Sequence, residues 1–342
     1  MQLRKRICNK NSTRKLALLL CMLPNIALSQ KDVVIFHNCE NFFYPTNDTL
    51  TEDDDFTSEG RKHWTFKRYN RKKNLLAKTY MAAGGNSFPT LIGLCEIEGE
   101  KVLNDLCYDT PLRKAGYRYI HYDSHDIRGI DVALIYNPQR FRPLRHYKIT
   151  PEAKDESEKT RDILYVCGML GKLRLNIYVI HAPSRREHNA KKQFRTDVFS
   201  MVYRHIEERK SEGEEYFLLM GDMNDNPWDK SVEQGFRTKT YYSGNVSPLL
   251  VNLMERNKNK TGSYVYNGTY LSFDQFLVSR NLLNRINDGG TFGGFVFRKD
   301  FLIDKESNTR VVVPYSTYKG FLYQGGVSDH FPIILEIDGC GK

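Results

Sequence analysis

Short apolar runs recur along the chain, and one after another they stop at an acid, an amide or a histidine. Phe217-Leu218-Leu219-Met220 has no polar alternation, which suits a strand covered on both faces, and Gly221 and Asn226-Pro227 stop it sharply. Residues two apart on an extended segment share a side, so Asp222 and Asn224 are expected to face the same way. Taken alone, the stretch fits an Asx-rich turn better, because Asp and Asn bond their own backbone in many loops. The same pattern appears elsewhere. Residues 33–38 predict a strand ending in Asn38, residues 90–96 one ending in Glu96, and residues 173–180 one that delivers His181. Residues 271–278 read as a strand with Asp274 inside it, and residues 325–332 place Asp329 and His330 at the start of a last strand, Ile333–Ile337. Further strands are predicted over residues 117–122, 131–136 and 163–170, the last forming a hairpin with 173–180 across Gly171-Lys172.

Two helices stand out. Residues 64–83 place Tyr69, Leu75, Leu76, Thr79 and Tyr80 on one side and Lys67, Arg68, Arg71, Lys72 and Lys73 elsewhere. With Trp64, Phe66 and Tyr69 interleaved, the basic face fits a surface that guides a phosphate-rich substrate, or simply a solvated helix face. Residues 187–212 carry an apolar stripe of Ala190, Phe194, Val198, Met201, Val202 and Ile206, with His205 in it as a core or boundary histidine. Residues 45–63 read as a long polar loop, and residues 287–294 as a glycine-rich mobile loop without the spacing or lysine of a phosphate-binding loop.

No repeat and no Pro-, Gly- or Ser-rich linker divides the chain, so one layered α/β domain is expected. The first 29 residues fall outside it. Arg4, Lys5, Arg6, Lys10, Arg14 and Lys15 form a basic region before apolar residues 16–28, and Ala27-Leu28-Ser29 offers a cleavage site before Gln30. The apolar run is too short to cross a bilayer and Pro24 interrupts it, so a cleaved secretory signal peptide is expected in preference to a membrane anchor, with a domain over residues 30–342 exported to the periplasm or the cell exterior. Losing the leader's six Lys and Arg lowers the formal charge from +10 to +4, which leaves only a mild preference for anionic partners. Of seven cysteines, five remain: Cys39, Cys95, Cys107, Cys167 and Cys340. No CxxC pair suggests zinc, an odd number leaves at least one thiol unbridged within the chain, and Cys39 and Cys95 are the pair placed to lie close together.

If the strand ends meet at one rim, the acids, amides and histidines make a hard-cation site. Crowded carboxylates repel, and a divalent cation that prefers oxygen removes that cost while polarising a phosphoryl oxygen. Magnesium suits such a donor set, with manganese as a substitute. Glu96 at the end of an apolar run requires either a charged partner or a metal, and His181 beside Pro183 could equally be structural. Arg128 could contact phosphate or pair with Asp126 within its turn.

Gly-Asp-x-Asn at residues 221–224 and Ser-Asp-His at 328–330, with Asn38, Glu96, His181 and Asp274 in that order, resemble the endonuclease/exonuclease/phosphatase superfamily over essentially the whole chain after the leader. The resemblance implies a four-layer α/β sandwich with two mixed β-sheets packed face to face. It also implies that Glu96, Asn38 and Asp329 hold the metal, that Asp222 orients and deprotonates the attacking water, and that Asn224 fixes the phosphate. A histidine like His330, polarised by an acid like Asp274, would stabilise phosphoryl oxygens or assist the leaving group. His181 falls where deoxyribonuclease-like and sphingomyelinase-like members have a second histidine and repair-type members a tyrosine, which argues against an abasic-site repair enzyme. Arg128, Lys67 and Arg71 are the candidate substrate contacts. The expectation is a monomeric, magnesium-dependent phosphodiesterase, most simply a nuclease, with no stable membrane anchor. The alternatives are a sphingomyelinase-like phospholipase, a phosphatase acting on small phosphate esters, and a noncatalytic binding protein of the same fold.

Overall fold

Strands made of uninterrupted apolar residues need cover on both faces, and the chain supplies it by stacking two sheets and then placing helices outside them. The computed structural model describes residues 31–152, 160–185, 191–239, 247–258, 260–286, 294–307 and 309–337. Along the chain these form β1 (Asp32–Phe42), α1 (Phe66–Gly84), β2 (Leu91–Ile97), α2 (Glu100–Tyr108), β3 (Arg118–His121), β4 (Asp131–Tyr136), β5 (Phe141–Ile149), β6 (Ile163–Leu170) and β7 (Leu173–His181). There follow α3 (Lys192–Ser211), β8 (Tyr216–Asp222), α4 (Lys230–Gly235), β9 (Leu250–Asn252), β10 (Tyr264–Tyr266), β11 (Thr269–Leu271) and β12 (Asp274–Ser279). The chain continues with α5 (Arg280–Ile286), β13 (Phe295–Val296), β14 (Tyr318–Lys319), β15 (Leu322–Tyr323) and β16 (Ile333–Ile337).

One six-stranded sheet has the order β13-β16-β1-β2-β4-β3 and the other β5-β6-β7-β8-β12-β9, with β10-β11 and β14-β15 as separate hairpins. Both sheets are mixed. β1 runs parallel to β2 and β7 parallel to β8, while the other pairings are antiparallel. Alternation along β1 shows how the layers form: Val34 and Phe36 enter the core between the sheets, with Leu134, Leu218, Met220 and Phe276, whereas Val33 and Ile35 join the core under α1 and α2. The second sheet repeats this, with Tyr178, Phe217 and Leu219 facing Phe194, Val198 and Val202 of α3. The result is the four-layer α/β sandwich expected, helices outside and two mixed sheets within. Each fully buried Leu, Ile or Phe of these cores contributes about 1.5–3 kcal/mol.

The topology also explains why the strand-end polar residues converge. In each sheet a parallel pair brings two C-terminal ends to one rim, and an antiparallel neighbour begins there. Hence β1 and β2 end, and the turn into β16 begins, on one side of the rim. On the other side β7 and β8 end where β12 begins, with Asp222 paired to both His181 and Asp274.

Several expectations change. The first strand runs on to Phe42 through a bulge between Asn38 and Phe42. Asp274 is the first residue of β12 and not an interior one, because residues 269–271 belong to the β10-β11 hairpin. The basic face of α1 is divided: Lys67 and Arg71 are exposed, but Lys72 and Lys73 are buried, Lys73 on Asp109 at 2.5 Å. Cys39 and Cys95 are both free and buried, as are Cys107 and Cys167. Cys95 pairs in register with Asn38, so Cys39, one residue on, points to the opposite face of the sheet, into the core under α1, while Cys95 enters the core between the sheets. The leader, Cys340, residues 187–190 of the long helix and residues 287–293 of the glycine-rich loop lie outside the described residues. Among the described residues no helix is long and apolar enough to cross a membrane.

Candidate active site at the sheet rim

The open end of the sandwich forms a cleft of 460 Å³ lined by residues from both sheets. From the first sheet come Asn38, Glu96, Asp329 and His330, and from the second His181, Asp222 and Asn224. Arg128 reaches it from the loop before β4, and Ser184 and Arg185 from the loop after β7. Tyr264, Tyr266, Leu271 and Phe273 make one wall from the β10-β11 hairpin and its exit.

Asn38 connects the halves of the site: its amide nitrogen donates to Asp222 at 3.0 Å and to Glu96 at 3.3 Å, and its Oδ1 accepts from the Glu40 N–H at 2.8 Å. Glu96 has φ of +57° and accepts the Asn41 N–H at 2.8 Å. Burial would raise its carboxyl, but Arg128, His330 and that N–H together hold it below the usual range. Asp329 is pushed up by burial and by the charges of Glu96 and Asp222, against the pull of His330 and Lys72.

Asp222 ends β8 and is 2% exposed, where burial pushes its carboxyl up to about 6 despite His330. Its Oδ1 accepts the Asn224 N–H at 2.9 Å, the Asx geometry that alone would be a turn. Asn224, with φ of +51°, donates its side-chain amide to the Ala182 carbonyl at 3.0 Å. Behind it, Asp225 accepts Arg195 at 2.8 Å and Arg185 at 2.7 Å, so a buried ion pair fixes the loop. His181 Nε2 lies 3.8 Å from both Glu96 and Asp222.

His330 Nδ1 lies 2.6 Å from Asp274 Oδ2, and Nε2 lies 4.0 Å from Asp222. Burial disfavours its charge, but Asp274, with Asp329 and Asp222 adding to it, more than offsets this and holds its pKa well above the ordinary histidine value. Tyr264 stacks on the His330 ring at 4.7 Å and on Phe273 at 5.6 Å, and Arg185 caps the stack 4.9 Å from the Phe273 centroid.

The structure therefore brings Asn38, Glu96, His181, Asp222, Asn224, Asp329, His330 and Arg128 to one cleft, with Asp274 immediately behind His330. Arg128 pairs with Asp126, its Nε 3.4 Å away, and also lines the cleft. Lys67 and Arg71 do not line it, and Arg71 instead donates to the Gly325 carbonyl at 2.9 Å. The hairpin wall was missed, although the alternating tyrosines 264 and 266 signal one strand face. Arg161 was missed as well: it is buried, 3.1 Å from Asp126 and 2.9 Å from the Ala182 carbonyl, and no periodicity marks such a residue.

The donor set at Asn38, Glu96 and Asp329 is all oxygen, and the burial and neighbouring negative charge that raise Asp329 are what a hard divalent cation relieves. On those grounds the residues fit magnesium or manganese. Asp222, Asp274 and His330 also offer atoms within 4.8 Å of one another, although the short Asp274–His330 bond already uses one of them.

An endonuclease/exonuclease/phosphatase family model matches residues 33–339. No curated protein sequence matches at a significant level. Solved structures of the same fold include an endonuclease/exonuclease/phosphatase family protein from Bacteroides thetaiotaomicron, with 15% identity, TM-score 0.55 and coverage of 90% of this chain and 94% of that one. The mannosyl-6-phosphatase Bt3783 of the same organism has 14% identity, TM-score 0.53 and coverage of 90% and 99%. D. rerio TDP2 complexed with single strand DNA product has 16% identity, TM-score 0.51 and coverage of 90% and 99%. These likenesses establish the fold, and the family match spans nearly the whole chain. The chain belongs to the endonuclease/exonuclease/phosphatase family, whose members hydrolyse phosphoester bonds.

Proposed function

We propose that the chain is a magnesium-dependent phosphodiesterase acting on nucleic acid, exported after loss of residues 1–29. The observation that carries the chemistry is that Asp222 accepts a hydrogen bond from the Asn38 amide nitrogen and shares its cleft with Glu96 and Asp329 on one side and the Asp274–His330 pair on the other. Asn38, Glu96 and Asp329 would hold the cation, which when bound polarises a phosphoryl oxygen and offsets its charge. Asp222, fixed by two hydrogen bonds, orients a water in line with the phosphorus and takes its proton. Asn224 and Arg128 contact phosphate oxygens. His330, its protonated form favoured above all by Asp274, donates to the oxygen where negative charge develops, and His181, whose Nε2 lies 3.8 Å from Asp222, supports it.

The nucleic-acid reading is supported by the aromatic wall, on which Tyr266 is 60% exposed in a cleft that Arg185 also lines, because bases stack on such rings without regard to sequence. It is also supported by the fold shared with the D. rerio TDP2 that holds a single strand DNA product. A second reading, a phosphatase on small phosphate esters, is favoured by the limited cleft of 460 Å³ and by the fold shared with the mannosyl-6-phosphatase.

The test is a panel of plasmid DNA, single-stranded DNA, RNA, sphingomyelin, a chromogenic phosphodiester and a chromogenic phosphomonoester, each with magnesium and with chelator. Cleavage of DNA or RNA and of the diester, lost in chelator, is expected. Turnover of the monoester alone would establish the phosphatase reading, and activity indifferent to chelator would remove the metal from the mechanism.

A further inference from the structure

Behind the rim lies a buried lysine that no part of the proposed chemistry uses. Lys72 of α1 is 1% exposed, and its ammonium donates to the Glu40 carbonyl at 2.7 Å and to Thr317 Oγ1 at 2.6 Å. The Glu40 carboxylate, also buried, accepts the N–H groups of Thr317 at 2.6 Å and Tyr318 at 2.9 Å. Thr317 Oγ1 lies 3.4 and 3.3 Å from the Gly326 and Val327 carbonyls, just before Asp329. One ammonium and one carboxylate thus tie three segments together: the end of β1, the strand that opens the β14-β15 hairpin, and the turn carrying Asp329 and His330.

The first of these segments is strained. Glu40 and Asn41 have φ of +49° and +53°, a left-handed conformation costly for residues other than glycine, where the β1–β2 register shifts. That conformation aims the Glu40 N–H at Asn38 Oδ1 and the Asn41 N–H at Glu96 Oε2, each at 2.8 Å. On the other side Ser328 Oγ donates to the Asn38 carbonyl at 2.7 Å and accepts the His330 N–H at 3.0 Å. The backbone held by Lys72 and Glu40 therefore carries the N–H groups that bond Asn38 and Glu96, and through Thr317 it adjoins the turn that carries Asp329.

We infer that Lys72 and Glu40 are positioning residues that set the Asn38–Glu96 pair and the Asp329–His330 turn against each other, preforming the cation site without touching substrate. The inference rests on the reading that Asn38, Glu96 and Asp329 hold the cation. It is separable from an ordinary buried ion pair by the sign of one effect. Lys72 is near enough to Glu96 and Asp329 to feel their charge, so by Coulomb's law alone removing its ammonium would tighten the binding of a cation. A positioning role predicts the reverse, because groups that orient metal ligands cost about 10–100-fold in metal affinity when removed.

The experiment is direct Mn²⁺ binding to the purified chain, read from the electron paramagnetic resonance signal of the free ion, with circular dichroism and melting to confirm the fold. The proteins are the parent, Glu96→Gln, Lys72→Met and the charge-balanced Lys72→Met/Glu40→Gln. Lys72→Met is expected to weaken Mn²⁺ binding about tenfold or more, and the double variant likewise. Unchanged or tighter binding by folded Lys72→Met overturns the inference, and if that variant does not fold, the double variant decides it on the same criterion. Glu96→Gln separates the two levels. Parental affinity in Glu96→Gln overturns the cation-site reading itself, whereas binding that needs Glu96 and ignores Lys72 overturns only the positioning role.

Discussion

Asp274 and His330 lie 56 positions apart and attach to different sheets, yet their side chains meet at 2.6 Å at the rim where the sheets come together. The contact spans the sandwich, and it gives a buried carboxylate at the start of β12 its partner. It also fixes which imidazole nitrogen faces the cleft, since Nδ1 is engaged and Nε2 is left toward Asp222.

Replacing Asp274 by Asn keeps the shape and removes the charge that holds His330 protonated. Turnover at saturating substrate and magnesium is expected to fall about 100-fold or more, with KM changing far less. Steady-state kinetics on a chromogenic phosphodiester check this, and a fall in kcat/KM carried by KM alone would assign Asp274 to binding.

Gly221 precedes Asp222 on β8, and a Cβ there would sit 2.3 Å from the Ile180 carbonyl oxygen on the neighbouring strand. Backbone cannot yield as a flexible side chain can, so Gly221→Ala is expected to destabilise the fold by about 1–3 kcal/mol. Denaturant unfolding monitored by far-UV circular dichroism measures it. A midpoint equal to the parent's would show that β7 and β8 separate easily at their ends.

The rim was legible in the sequence because its residues sit where apolar runs stop, and Gly221-Asp222-x-Asn224 and Ser328-Asp329-His330 mark two of those stops. A one-dimensional pattern does not say which ends share a rim; the parallel pairs β1–β2 and β7–β8 decide that, and the sequence reading named neither, reaching only the two mixed sheets through the family resemblance. Lys72 was misread, as was Lys73, because each sits in a run of basic residues that includes the exposed Lys67 and Arg71, and only the folded chain shows the Lys72 ammonium meeting the Glu40 carbonyl and Thr317. Arg161, Arg195 and Asp225 were unreadable for the same reason: a buried ion pair leaves no periodicity. The wall of Tyr264, Tyr266 and Phe273 was within reach of an alternation argument, but the two tyrosines share one three-residue strand and Phe273 lies between strands, below the length at which a pattern separates from chance.

His205, far from the rim, receives hydrogen bonds or gives them at 2.7 Å to both Tyr147 and Tyr178. Burial lowers its pKa, with Arg209 and Arg145 adding to the effect and Glu208 and Glu212 opposing it. Because the folded value lies below the unfolded value of about 6.5, the native state binds fewer protons, so stability is retained above that pH and lost as pH falls through and below it. His205→Gln, which cannot titrate, is expected to lose less stability than the parent between pH 7.5 and pH 5. Parallel unfolding curves at the two pH values test this, and equal losses would contradict it.

The central claim is that the rim is a catalytic phosphoesterase site in which Asp222 activates water. The most direct measurement is steady-state hydrolysis of a chromogenic phosphodiester by Asp222→Asn beside the parent, in saturating magnesium, with both proteins shown to be folded. A fall in kcat of about 10²–10⁴-fold is predicted, and turnover close to the parent's would contradict it.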